Sequence, residues 1–264
     1  MGSLKIGVNI TRTITKKQIV VKWYLPTKSM KLRIDQKIFE LYPEVLLGVL
    51  VLKNIDNTGN DDVLYTLLRD AEKIAVEKLS GAPVAEHPNI VPWREAYRKF
   101  GAKPKDYPSS IENLLRRILK GEQIRHINKL VDVYNVVSLK HVVPVGGEDV
   151  DKIDGDVWLT VASANEQKIY LLGEREERAP YVNEVFYKDD NGAICRRWNW
   201  KEAERTKLTE ETKNAFMVIE GLPPVGKDQI SSALSELSEL LIKYTSCQTS
   251  KVILDKYNSE VDIK

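Results

Sequence analysis

The side chains with the most chemical capacity are gathered at residues 195–221, C-R-R-W-N-W-K-E-A-E-R-T-K-L-T-E-E-T-K-N-A-F-M-V-I-E-G. Arg196, Arg197, Arg205, Lys201, Lys207 and Lys213 surround Trp198 and Trp200, and an apolar run then closes on one acid, Glu220. Indole offers a π-face to a base, and guanidinium a planar fork to an oxyanion. Arg196, Arg197, Trp198 and Asn199 are therefore candidate substrate contacts. The same residues also suit a structural loop with buried tryptophans and arginine stems packed beside them. A second group lies on a helical stretch at about 127–141, where Asn128, Asp132 and Asn135 recur at spacings of four and three and line one face. Such a face can hold a ligand by hydrogen bonds or tie down a neighbouring loop. Gly146-Gly147 follows and reads as a turn, where backbone can approach a ligand closely because no Cβ intervenes.

Other chemistries have no foothold. No G-x-x-x-x-G-K-[ST], G-x-G-x-x-G, G-x-S-x-G or H-E-x-x-H occurs, and His87, His126 and His141 are scattered. Cys195 and Cys247 have neither metal nor redox spacing. The expectation is a site without metal or cofactor.

These residues need a scaffold. The chain has 264 residues, 42% hydrophobic and 30% charged, the composition of a soluble globule, and its longest apolar run, at 45–52, is too short to span a bilayer. No charged-then-apolar leader pattern opens the sequence, so a reduced, cytoplasmic protein without membrane contact is expected. Strands are expected at 5–9, 18–24 and 42–52. A helix should then run from Asp61 or Asp62 to Leu79, with Val63, Leu67, Ala71 and Ala75 inward. Pro92 opens a helix carrying Trp93, Ala96, Tyr97 and Phe100, and Ser109 with Glu112 forms a capping box before Ile111, Leu114, Leu115 and Ile118. Beyond 156 the periodicity shifts to short strands at 157–162, 168–172, 184–187, 193–195 and 215–220. An amphipathic helix at 228–244 and a strand at 251–254 close the chain.

Net charge is only +2, but its distribution is uneven. Residues 92–129 hold ten Lys or Arg against four Asp or Glu, whereas 148–190 hold five against twelve. Arg94, Arg98, Lys99, Arg116, Arg117 and Lys120 fall on the side of their helices opposite the apolar stripe. That is either a solvated basic face or a phosphate-tracking surface.

Read in order, several runs resemble a known family. I-N-K-L-V-D-V-Y-N-V-V-S-L-K-H-V-V-P-V-G-G-E-D-V-D-K-I, at 127–153, is similar to the helix and following loop of the editing domain in the phenylalanyl-tRNA synthetase beta subunit, the B-three/four domain. K-D-D-N-G-A followed by L-T-E-E-T-K-N-A-F-M-V-I-E resembles that family's later A-D-E-x-G-P and E-T-x-N-V-L-L-E runs. With W-R-E-A-Y-R-K-F-G and R-R-W-N-W, the chain looks still more like the free-standing branch of the family, over about 91–222.

The resemblance implies an α/β fold of α+β type, with a central mixed or antiparallel sheet and flanking helices. It also implies one domain over 1–264: N-terminal elements at 1–90, an editing-like core at 91–222 and a C-terminal helix and strand at 223–264. The function implied is that of a trans-acting hydrolase, removing a wrongly attached amino acid from a tRNA 3′ end. Asp132 and Asn135 fall on the family's matching helix positions, Gly146-Gly147 on its pocket loop, and Glu220 on the acid that reads the hydroxyl of a misattached tyrosine. The chain also departs from the pattern: the family's loop histidine falls on Gly146 and its nearby threonine on Tyr134. A non-catalytic tRNA- or RNA-binding module and a pocket for a free amino acid stand as alternatives.

Overall fold

A computed structural model describes residues 29–79 and 81–264. The strands expected at 5–9 and 18–24 lie outside the described residues. The elements run β1 (Lys31–Ile34), α1 (Gln36–Leu41), β2 (Leu46–Lys53), α2 (Asp62–Leu79), α3 (Val91–Lys99), α4 (Ser110–Leu119), α5 (Lys129–His141), β3 (Val145–Asp149), β4 (Val157–Val161), β5 (Ile169–Tyr170), β6 (Glu177–Arg178), β7 (Val185–Asp189), β8 (Gly192–Arg196), β9 (Lys201–Glu202), β10 (Ala215–Gly221), α6 (Lys227–Thr245), β11 (Gln248–Leu254) and β12 (Glu260–Asp262). A mixed sheet has the order β12-β1-β4-β7-β8-β9, parallel only between β1 and β4; an antiparallel sheet has the order β11-β2-β10-β3.

The four-stranded sheet is the middle layer, and this explains its sequence. Leu47, Val49 and Val51 of β2 pack with Phe216 and Val218 of β10 against Leu159, Tyr187 and Ile194 of the mixed sheet. Leu46, Leu50 and Leu52, with Met217 and Ile219, pack on the other side against α5 and α6. A strand covered on both faces loses the polar alternation, so β2 reads as an unbroken apolar run. Helix α5 is likewise enclosed: Leu130, Val133 and Val137 face the sheet side, while Val136 and Leu139 meet α2 and α4.

Three expectations are corrected. Helix α2, capped by Asp61 through the N–H groups of Val63 and Leu64, turns Leu64, Leu68, Ala71, Ala75 and Leu79 inward and leaves Val63 63% exposed, because its packing against Ile111 and Leu115 of α4 and Val136 and Leu139 of α5 selects that face. The strand expected at 42–52 starts at Leu46, since Tyr42 closes α1. Gly146-Gly147 is no turn: it lies within β3, with Gly147 opposite Met217 and Gly146 opposite Val218. The exit from α5 is made instead by Val142, in the left-handed region at φ 54°. Among the described residues, no helix is long and apolar enough to cross a membrane.

Candidate functional site

Glu220 sits where strand parity puts it. Along β10, Ala215, Met217 and Ile219 join the helix-facing core, so Phe216, Val218 and Glu220 project toward the mixed sheet. Its carboxyl is 1% exposed at the wall of a cavity of roughly 180 Å³ between the two sheets. Tyr187 Oη donates to Glu220 Oε1 at 2.6 Å, and Asn199 Nδ2 donates to Oε2 at 2.5 Å. Asn199 is itself held, its Oδ1 accepting from Tyr97 Oη at 2.9 Å and its carbonyl from the Ser110 N–H at 3.0 Å. Burial pushes the Glu220 pKa up to about 7, while Tyr187, Asn199 and Trp198 pull the other way. The Trp198 indole nitrogen makes no hydrogen bond of normal geometry, yet its position favours the charged carboxylate.

Trp198 reaches the cavity through a strained turn. Arg197 and Trp198 have φ of 47° and 65°, a left-handed pair that costs about 1–2 kcal/mol per residue without glycine. Two anchors hold it. Trp198 packs edge-on against Tyr42 and Trp93, with centroids 4.9 and 5.0 Å away, and its backbone N–H donates to Val185 O at 2.6 Å. Beside it, Glu184 accepts Arg196 Nε at 2.9 Å, Arg196 Nη2 at 2.7 Å and the Arg197 N–H at 3.0 Å, all buried.

A second acidic group lies further along the cavity. Glu148 of β3 stands opposite Phe216, and Glu202 of β9 stands opposite Cys195; all four line the cavity. Burial pushes Glu148 well above the usual carboxylate range, and the neighbouring Glu202 adds to the effect. Glu202 is raised to about 7, first by burial and then by Glu204. The Cys195 thiol is also driven up by burial, which holds it protonated and a poor nucleophile.

Of the residues singled out by sequence, the fold brings Gly146, Gly147, Trp198, Asn199 and Glu220 to one cavity. Arg196 is committed to Glu184 and does not line it. Arg197 stacks outside it, 3.7 Å from the Tyr107 ring centroid and 4.5 Å from that of Trp200. Asp132 accepts from the Ile127 N–H and contacts His126 Nδ1 at 2.5 Å, while Asn128 caps α5 and donates to Leu208 O, so this polar face ties loops together. Asn135 is buried in α5 and does not border the cavity. In the basic set, Arg94 and Arg116 converge on buried Glu112 and Arg117 pairs with Glu122, whereas Arg98 and Lys120 are exposed. Sequence reasoning missed Tyr187, Glu148 and Glu202. Tyr187 and Glu148 lie on strand faces whose inward phase parity alone could have suggested; β9 is two residues long and offered no such signal.

The chain is similar in sequence to known proteins. A family model described as the B3/4 domain matches residues 92–246. The phenylalanine–tRNA ligase beta subunit of Fusobacterium nucleatum subsp. nucleatum is 27% identical over 110 residues, which are 42% of this chain and 13% of that one. The chain thus corresponds to a small part of that subunit. An N-terminal fragment of the phenylalanyl-tRNA synthetase beta subunit from Pyrococcus horikoshii aligns over 89% of this chain and 57% of that fragment, at 14% identity and a TM-score of 0.46. Because the family model spans more than half of its residues, the chain belongs to the B3/4 domain family.

Proposed function

We propose that the protein is a trans-acting editing hydrolase that cleaves the ester of a mischarged aminoacyl-tRNA. The observation that carries this reading is the Glu220 carboxyl, buried at a cavity wall and fixed by Tyr187 and Asn199. A carboxylate oxygen accepts more than one hydrogen bond, so Glu220 has capacity left for a substrate hydroxyl. A side chain lacking that hydroxyl would leave the buried group less satisfied and bind more weakly. The ester is already activated, so the protein must mainly position water and stabilise the developing oxyanion. Gly147 suits the second task. Asp149 directs its N–H away from β10, to Thr206 O at 2.9 Å, and Gly147, two residues earlier on the same edge strand, directs its N–H to the same side. The partner on this reading is tRNA, with Arg98, Lys99 and Lys120 as the exposed cations available to its backbone.

Those exposed cations also support the second reading, a tRNA- or RNA-binding module without catalysis. Incubation with a panel of mischarged tRNAs separates the two. Ester cleavage above the buffer rate supports the hydrolase, and salt-sensitive tRNA binding with no cleavage supports the module.

A further inference from the structure

Glu148 has no role in the reading above, yet its setting is specific. It is 6% exposed, borders the cavity, and its Oε2 has no hydrogen-bond partner among the described residues. Glu202 borders the same cavity and lies near enough to Glu148 to act on its charge. The neighbouring cations are committed elsewhere: Lys201 Nζ to Glu174 at 2.9 Å, Arg205 to Asp189 at 2.7 and 2.9 Å, and Lys207 to Glu204. Arg205 and Lys207 lie near enough to temper the two charges, but among the described residues no cation is paired with either carboxyl, an arrangement that a ligand cation with several N–H donors completes. Its place relative to Glu220 is set by register: Glu148 is opposite Phe216, four residues before Glu220 on β10, which separates the two backbone positions by about 13 Å along the strand.

We propose that Glu148 and Glu202 form a primary-ammonium subsite, at the end of the cavity remote from Glu220. The ammonium belongs to the amino acid of the ligand, either its α-amino group or the terminal group of a basic side chain. This rests on the aminoacyl reading of the cavity and adds what that reading lacks, a contact that distinguishes a free amino acid ester from an N-blocked one.

The test uses 3′-amino-3′-deoxyadenosine carrying tyrosine, N-acetyltyrosine, lysine or Nα-acetyllysine in amide linkage, with binding measured by calorimetry to the wild-type protein, Glu148→Gln and Glu202→Gln. If the α-ammonium is read, acetylation weakens both amides about tenfold or more, and the difference collapses in the Gln variants. If a side-chain ammonium is read, both lysyl probes outbind both tyrosyl probes, and the Gln variants remove that preference. Equal affinity for all four, binding of none, or discrimination that survives both substitutions overturns the proposal. Should a Gln variant fail to fold, as thermal melting would show, the four-probe comparison on the wild-type protein decides. The amides resist hydrolysis, so discrimination among them with no cleavage of the esters would reject the hydrolase reading alone.

Discussion

Tyr187 of the mixed sheet donates its phenolic proton to Glu220 of the antiparallel sheet across 2.6 Å, joining the two layers by a hydrogen bond inside the cavity they enclose. An ionisable group is thereby held in an apolar seam where burial, rather than a neighbouring charge, governs its protonation.

The burial of this carboxyl makes stability depend on pH, against the opposing pull of the Tyr187 bond. The Glu220 pKa is raised from an ordinary 4.5 to about 7, so the folded state holds its proton more tightly than the unfolded chain does. Its contribution is fully present below pH 4.5 and is lost as the pH rises through 7, by up to about 3 kcal/mol. Glu220→Gln removes the ionisation. Denaturant unfolding should show the variant gaining on the wild type between pH 5 and pH 8; a gap that stays constant with pH would contradict the burial of this carboxyl.

The two adjacent glycines should respond in opposite ways. A Cβ on Gly147 would meet Met217 Cγ at 2.7 Å and Phe216 O at 3.0 Å, so Gly147→Ala is expected to cost about 1–3 kcal/mol. A Cβ on Gly146 meets nothing within 4 Å, so Gly146→Ala should leave the melting temperature nearly unchanged. Equal effects would show that β3 is seated differently on β10.

Arg196 is expected to behave as a structural residue. Removing it strands Glu184 in a site where both side chains are 1% exposed, and Arg196→Ala should cost about 3–5 kcal/mol. The paired Glu184→Gln/Arg196→Met substitution should recover much of that, because no charge is left unanswered. A loss below about 1 kcal/mol for the single variant would return Arg196 to the list of ligand contacts.

The exposed cations supply the test of tRNA contact. Arg98→Glu and Lys120→Glu should weaken tRNA binding and lower its salt dependence by about one unit of slope per lost phosphate contact, with little change in melting temperature. The same changes at Arg94 or Arg116 should instead destabilise the protein, since both neutralise buried Glu112.

What the sequence made legible divides along physical lines. The α3, α4, α5 and α6 helices and the β7, β8 and β10 strands follow from local periodicity and capping, because burial on one face leaves a periodic trace. The inward face of α2 was set by packing against α4 and α5, and the sequence offered two overlapping apolar stripes, one through Val63 and one through Leu64 and Leu68, that share Ala71 and Ala75. Gly146-Gly147 reads as a turn in the sequence because glycine marks turns and close strand packing alike, and only the register with Met217 distinguishes them. Within the site, Glu220 stood out as a lone acid in an apolar run. Glu148 and Glu202 are brought to one cavity by pairings across two different sheets, over 54 residues of chain, and no local pattern records that.

The most direct test of the editing proposal is the rate of deacylation of mischarged tRNAs by the wild-type protein and by Gly146→Leu, whose Cβ meets nothing within 4 Å at a position that lines the cavity. The account predicts at least one mischarged ester cleaved well above the buffer rate by the wild type, and cleavage reduced to the buffer rate in the folded variant. An absence of cleavage across the panel, or full activity in that variant, would contradict it.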